Sequence, residues 1–373
     1  MKLSNNILIT GATGFLGGAT SARLLESSST GVKLFFLVRA PTPEDGLTRV
    51  RTSLERFHVA PALLAGLTAE QVICGDFAEV AAFAADARLD TITEVINCAA
   101  IASFSNRPDI WPINVVGTFA FAERMSKVAG LRRFVHVGTA MACGPHVQSP
   151  VRESWEMPAA DEHLVPYTAS KAEIERRMRK ELPALPLVVA RPSIIVGHTR
   201  YGCAPSASIF WVFRMAVALE QFTCALDEQV DVVPVDYCAE ALIKLALAPS
   251  LKWPLYHVSA GALGSDTFRD IDIAYAKASG GTPVGSRYRR IELADVGGLM
   301  QEFKARLGSC NRRIVARALR LYGGFAELNY VFDNSRLLQE GMPAPAHFAR
   351  YIGICVTTSM DVPIAEQMLE DFK

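Results

Sequence analysis

Thr10-Gly11-Ala12-Thr13-Gly14-Phe15-Leu16-Gly17 follows the apolar run Ile7-Leu8-Ile9 directly and leads into a helical pattern, and its reading decides the fold. Gly11 permits a tight turn, Gly14 lets the backbone come close to a pyrophosphate, and Gly17 lets the new helix pack near the strand. The start of that helix offers unpaired N–H groups and a partial positive charge. The loop, including Thr13, Phe15 and Leu16, is therefore expected to hold the phosphates of a dinucleotide. A structural turn is the alternative, but the strand–loop–helix context favours a nucleotide.

Outward from the loop, short β-branched runs alternate with longer helical patterns. The runs are Asn6–Thr10, Lys33–Val38, Gln71–Cys74, Glu94–Cys98, Arg133–Gly138, Pro186–Arg191 and Gln229–Val233. Most lack strict polar alternation, as expected of strands covered on both faces. Phe15–Ser27, Asp109–Ala129 and Tyr167–Leu182 read as helices between them. This alternation predicts an α/β fold, a doubly wound parallel sheet of the Rossmann kind. Beyond residue 260 the rhythm turns helical at Thr267–Ser279, Leu293–Leu307, Arg312–Tyr322 and Ala346–Cys355. The expected division is a dinucleotide-binding domain over 1–260, with 197–228 contributing to the substrate site, and a smaller helical region over 261–373.

The composition narrows the function classes. The chain has 373 residues, half of them hydrophobic, and Lys+Arg equals Asp+Glu at 38 each, so no global field draws it to nucleic acid or an anionic membrane. Arg312, Arg313, Arg317 and Arg320 could form a local basic patch, though a solvated helix face is the plainer reading. The eight cysteines (Cys74, Cys98, Cys143, Cys203, Cys224, Cys238, Cys310, Cys355) include no CxxC pair. Several lie in apolar runs, which fits a reduced intracellular compartment, and no metal site is expected. Met1 and Lys2 lead within a few residues into the first strand, so no signal peptide is expected. Ile209 to Leu226 is cut by Arg214 and Glu220, so no transmembrane segment is expected there and a cytoplasmic location follows from missing signals.

The second strand ends Leu34-Phe35-Phe36-Leu37-Val38-Arg39. An NAD site normally places Asp or Glu there, on the ribose hydroxyls, whereas Arg39 can pair with a 2′-phosphate and predicts NADP(H). The bland alternative is an ion pair to Glu44 or Asp45. Asp76, followed by Phe77, closes the third strand and could accept from the adenine amino group or cap the next turn. Cys98, Ala99 and Ala100 end the fourth strand with side chains small enough for a ligand crossing the switch point.

The strand Arg133–Gly138 delivers Thr139 to the sheet's carboxyl edge, and Tyr167-Thr168-Ala169-Ser170-Lys171 follows. Spacing i, i+4 puts Tyr167 and Lys171 on one helix face. A tyrosine titrates near 10, and a nearby ammonium is expected to lower that value. In a reduction, Tyr167 would protonate the carbonyl oxygen while Thr139 holds it by a hydrogen bond. A Tyr-x3-Lys pair alone is weak, but its place after the glycine loop and the Thr139 strand favours catalysis.

In this order the motifs resemble an extended short-chain dehydrogenase/reductase over almost the whole chain. The glycine motif matches at Thr10–Gly17, and the resemblance implies that Asp76 contacts adenine. It implies a structural and proton-relay role for Asn114, within Ile113-Asn114-Val115-Val116-Gly117-Thr118. Thr139, Tyr167 and Lys171 match the catalytic set, with Lys171 also expected on the nicotinamide ribose. Arg191-Pro192-Ser193 matches the segment beside the nicotinamide. Thr139 stands where many members carry serine, which keeps the hydroxyl.

Within that family the chain looks most like the thioester-reductase and fatty acyl-CoA reductase branch. The carrying segments are Phe36-Leu37-Val38-Arg39-Ala40, Arg191–Gly197 and Val230-Asp231-Val232-Val233-Pro234-Val235-Asp236, with a looser likeness from Tyr351-Ile352-Gly353 to Phe372. The resemblance implies reduction of an acyl thioester to aldehyde or alcohol, the acyl group arriving on coenzyme A or an acyl-carrier protein. Ile209, Phe210, Val212, Phe213, Ala216, Val217 and Leu219 could wall an acyl channel, and core packing explains them as readily. His198 and Tyr201 could reach the substrate. The paired helices Asp109–Ala129 and Tyr167–Leu182 could build a homodimer contact. Two rivals remain: a sugar-nucleotide epimerase or dehydratase, which shares the glycine loop and the Tyr–Lys pair but which Arg39 disfavours, and a non-catalytic NADP(H)-sensing module, which the retained Tyr–Lys pair disfavours.

Overall fold

A computed structural model describes residues 5–27, 31–307 and 311–371. Met1, Lys2, Cys310 and Phe372 lie outside the described residues. Seven parallel strands form the main sheet: β1 (Asn5–Thr10), β2 (Val32–Val38), β3 (Val72–Cys74), β4 (Glu94–Asn97), β5 (Arg133–Val137), β6 (Leu187–Pro192) and β7 (Leu255–Val258). Their order is β7-β6-β5-β4-β1-β2-β3, so the chain reverses its direction of travel between β1 and β4. That reversal opens a crevice at the carboxyl ends of β1 and β4, where ligands of such sheets bind.

Successive side chains of a strand point to opposite faces, and both faces here are apolar. Ile7, Ile9, Phe36 and Val135 enter one core with α1 (Phe15–Glu26), α2 (Pro43–Glu55) and a later helix. Leu8, Phe35, Ile73 and Phe134 enter the other, with α3 (Thr118–Ser126) and α4 (Pro166–Glu181). A separate core joins α5 (Phe210–Leu219) to helices after residue 260. The later helix against α1 is α6 (Val235–Leu247). The helical region supplies α7 (Phe268–Ser279), α8 (Leu299–Leu307), α9 (Arg312–Glu327), α10 (Phe348–Thr357) and α11 (Ile364–Asp371). Because Val196–Val232 side chains also enter that core, the substrate-side layer starts well before residue 260.

One expected strand is corrected. Gln229–Val233 does not join the sheet: Gln229–Val230 pairs antiparallel with Asp266–Thr267, and Val232–Val233 pairs parallel with Ile194–Ile195. Asp231 divides them because its carboxylate turns inward and accepts from the backbone N–H groups of Ala260, Gly261 and Phe332. The seventh place belongs to β7, a four-residue run carrying a buried His257. The expected helix Asp109–Ala129 is interrupted too, since Pro112–Gly117 is a π-helical turn leading into α3. Among the described residues no helix is long and apolar enough to cross a membrane.

The glycine loop is shaped by close approach. Gly11 has φ of 69°, and a Cβ there would lie 2.9 Å from the backbone nitrogen of Ala99. A Cβ on Gly17 would lie 2.2 Å from the Gly11 carbonyl oxygen, so the first turn of α1 sits on the loop backbone itself. Gly17→Val must therefore push α1 off the loop. It should weaken nicotinamide dinucleotide binding at least about tenfold, or ~1.4 kcal/mol, in a calorimetric titration. An unchanged dissociation constant in a folded variant would contradict the loop's role.

Candidate active site

Three strand ends are levelled by one buried hydrogen-bond chain. Thr10 Oγ1 donates to Asn97 Oδ1 at 2.6 Å and accepts from the Ala99 N–H at 3.1 Å. Asn97 Nδ2 lies 3.0 Å from His136 Nδ1, whose imidazole is held well below its usual pKa by burial and then by the Lys171 charge. The chain fixes β1, β4 and β5 at a common height and lays the backbone of half-buried Cys98 and Ala99 against Gly11, with half-buried Ala100 next in sequence.

Across the crevice from those residues, α1 starts at Gly14 with no side-chain cap and no acidic residue in its first turn. Its first N–H groups and positive dipole end are thus presented to an anion. Arg56 fixes the loop from behind, donating to the Thr13 carbonyl at 2.9 Å, and Ser53 donates to that of Ala12 at 3.2 Å. A cradle that side-chain atoms would fill, at an uncapped helix start, fits a dinucleotide pyrophosphate.

Arg39 and Asp76 meet at the ends of β2 and β3, 3.9 Å apart, with 70% of the Arg39 side chain exposed. The alternative pairing of Arg39 with Glu44 or Asp45 is not made; Asp45 caps α2 with Thr42 instead. Asp76 does cap its next turn, accepting from the Ala78 N–H at 2.9 Å, which leaves its other oxygen to Arg39. Phe77 buries its ring against Phe121, centroids 5.2 Å apart, so only its backbone can face a ligand.

Thr139 follows β5, and Lys171 of α4 reaches the last carbonyl of that strand, with Tyr167 one helical turn before it on the same face. Thr139 accepts from the Met141 N–H at 3.3 Å, while its own hydroxyl proton has no partner among the described residues. Tyr167 stands half-buried in the first turn of α4, behind Pro166. Lys171 is 3% exposed and donates to the Val137 carbonyl at 2.7 Å. Asn114, on the π-helical turn, accepts from the Ile101 N–H at 2.8 Å and donates to Ser170 Oγ at 3.1 Å. It thereby clamps the loop after β4 to α4 in the turn that carries Tyr167 and Lys171. Such π-turns recur at functional sites because they re-aim side chains and carbonyls.

The expected acidification of Tyr167 is reversed. Burial, and then the carboxylate of Glu175, push its phenol up to about 12. Burial also pushes Lys171 down to about 8, against the opposing effect of Glu175. The spacing revealed the lysine but not the counter-charge one turn further along. For a proton donor the outcome is serviceable, since the group must hold its proton until an alkoxide develops.

Other expected residues are placed differently. Arg191 is 1% exposed, and its guanidinium is turned inward onto Glu175 and the Ser154 carbonyl. Pro192 and Ser193 follow it at the end of β6. His198 packs on Tyr201, ring centroids 4.5 Å apart, with Asp236 at 3.8 Å, as a loop brace. Phe210, Phe213, Ala216 and Leu219 are buried in the helical core, Phe213 5.2 Å from Phe348, and do not wall a channel; Ile209, Val212 and Val217 are half-buried at its edge. Arg312, Arg313, Arg317 and Arg320 lie exposed along α9. The seven described cysteines are free.

An aromatic group went unforeseen. Phe104, on the loop after β4, lies 6.1 Å from the Tyr167 ring, 5.1 Å from Tyr322 and 4.8 Å from Phe325. Tyr322 in turn meets Trp211 edge-on at 5.0 Å. The helical region thus closes over the Tyr167 side of the crevice with rings. No local spacing links Phe104 to Phe325, so only the tertiary fold exposes this group.

The profile of the male sterility protein family, an NAD-binding family, matches residues 9–242. A probable fatty acyl-CoA reductase 5 of Arabidopsis thaliana is 23% identical over 342 residues, covering 72% of this chain and 69% of that protein. The fatty acyl-CoA reductase wat of Drosophila melanogaster is 25% identical, covering 64% of this chain and 53% of that protein. Among solved structures, the terminal R domain of the myxalamid PKS-NRPS pathway superposes with a TM-score of 0.77 at 20% identity, covering 96% of this chain and 91% of that one, a likeness of fold. A family match spanning the glycine loop and the Tyr–Lys helix makes this chain a member of the male sterility protein family and an oxidoreductase of the extended short-chain dehydrogenase/reductase type.

Proposed function

We propose that the protein reduces an acyl thioester, held on coenzyme A or on a phosphopantetheine-bearing carrier, with NADPH as reductant and Tyr167 as proton donor. The observation that carries the reading is the Tyr167–Lys171 face of α4, anchored to the end of β5 by Lys171 and roofed by Phe104, Tyr322 and Phe325. A ring-lined approach suits an apolar acyl chain better than a hydroxylated sugar. The named activities of the similar reductases, and the carrier-linked pathway of the R domain, support the same substrate class.

The glycine loop and α1 would hold the pyrophosphate, Arg39 the 2′-phosphate, and Lys171 the nicotinamide ribose. When bound, the reduced nicotinamide supplies a hydride to the thioester carbonyl carbon. As charge develops on the carbonyl oxygen, Thr139 donates a hydrogen bond to it and Tyr167 transfers its proton. The resulting hemithioacetal breaks its C–S bond, its hydroxyl proton moving to sulfur, and releases aldehyde and thiol. Lys171 stabilises the phenolate left behind until solvent returns the proton. Asn114 holds the Tyr167 turn against the loop after β4 throughout. The same groups can act again on the aldehyde, giving alcohol with a second hydride.

Arg39 supports NADPH because its present partner is weak: exposed pairs of this kind contribute about 0–1 kcal/mol. It can therefore leave Asp76 for a dianionic phosphate, where charge-assisted bonds are worth about 1.5–3 kcal/mol. Arg39→Ala should raise the NADPH dissociation constant about tenfold to a hundredfold, with NADH nearly unaffected; equal weakening of both would contradict the assignment. Tyr167→Phe should lower kcat for acyl-CoA or aldehyde reduction by about 100-fold or more, with NADPH affinity retained. Wild-type turnover in that variant would remove the proposed donor.

A further inference from the structure

Tyr167, Lys171 and Glu175 stand at i, i+4 and i+8 of α4, so one helix face carries all three. The end of β5, Val137-Gly138-Thr139, runs along that face. Lys171 donates to the Val137 carbonyl at 2.7 Å, and a Cβ on Gly138 would lie 2.1 Å from Glu175 Oε1. Glu175 is 0% exposed. Its Oε2 accepts from Arg191 Nε at 2.9 Å and Nη2 at 2.7 Å, while Oε1, against Gly138, has no hydrogen-bond partner. Arg191 is anchored in turn by the Ser154 carbonyl at 2.8 Å and Met157 Sδ at 3.1 Å.

We propose that Glu175 is a positioning residue for the reduction, a buried counter-charge one turn beyond Lys171 on the Tyr167 face of α4. The proposal rests on the reading of Tyr167 as proton donor. A buried carboxylate with one oxygen left unpaired beside the strand end is costly for stability alone. Its field along the helix face gives that oxygen a use.

The neighbouring titratable groups leave the field undisturbed. Burial pushes the thiols of Cys98, at the end of β4, and Cys143, after β5, up to about 12. Burial holds His136 on β5 well below its usual range and pushes His257 on β7 down to about 3. All four are neutral near pH 7. Arg176 of α4 is paired with Glu173. Among the described residues lining this face, the charges are Lys171, Glu175 and Arg191. Burial raises the pKa of Glu175, and the charge and hydrogen bonds of Arg191 oppose that rise.

The sign of the effect is fixed. A carboxylate raises the pKa of a neighbouring ammonium and of a neighbouring phenol, so removing it lowers both. Glu175→Gln should therefore move the alkaline limb of the kcat/KM–pH profile for NADPH-dependent reduction of a medium-chain acyl-CoA, or its aldehyde, to lower pH by about one unit. Glu175→Asp, which keeps the charge, should hold the limb near the wild-type position even if its thermal midpoint falls. Glu175→Gln/Arg191→Gln removes both charges and covers the case in which the single variant fails to fold; its limb should move the same way, by less. A Glu175→Gln limb superimposable on the wild type would overturn the proposal, as would equal limbs for Gln and Asp. Should the wild type turn over no thioester or aldehyde, the functional reading fails by itself. The Tyr167 pKa, read by carbon NMR of ring-labelled tyrosine and assigned with Tyr167→Phe, then decides: a lower value in Glu175→Gln supports the counter-charge and an unchanged one refutes it.

Discussion

Lys171 carries an ammonium in a place where water cannot help it. Burying such a charge is unfavourable by several kcal/mol unless it is paired and hydrogen-bonded. Here the Val137 carbonyl takes one of its three N–H bonds, leaving donors for whatever enters the crevice. The position of that carbonyl is set by the sheet. Asn97 pairs in register with His136, and Val137 with Ala190, while the Thr10–Asn97–His136 chain ties β1, β4 and β5 together. A slip of one residue in β5 would turn its side chains to the other face and carry the lysine's acceptor away from α4.

The same strand ends link the cofactor loop to the reacting groups. Only glycine fits at position 11 because Ala99 approaches it so closely, and Ala99 is held by Thr10. From the other side, the helical region reaches Tyr167 through the rings of Phe104, Tyr322 and Phe325. The crevice is thus walled by a rigid sheet edge and by side chains of a second core.

Much of this was readable from local pattern. The glycine loop, six of the seven strands, and the Tyr167–Lys171 face depend on spacing along the chain, which sequence states directly. Gln229–Val233 misled because its apolar residues suit a strand, while Asp231 has a tertiary task that spacing does not encode. The four-residue β7 carries too few residues for a period. Glu175 was within reach, since the helical repeat that joins Tyr167 to Lys171 extends to it. Its consequence was not, because the sign of the Tyr167 shift depends first on burial, which helical spacing does not encode. The ring group around Phe104 joins residues more than two hundred positions apart and has no local trace.

A crystal structure of the protein with NADP+ and a product aldehyde or alcohol tests the central claim most directly. The proton-donor account predicts the Tyr167 hydroxyl within about 3.2 Å of the product oxygen, with the Lys171 amine on the nicotinamide ribose. A nicotinamide ring seated away from α4, with another side chain on the product oxygen, would contradict it.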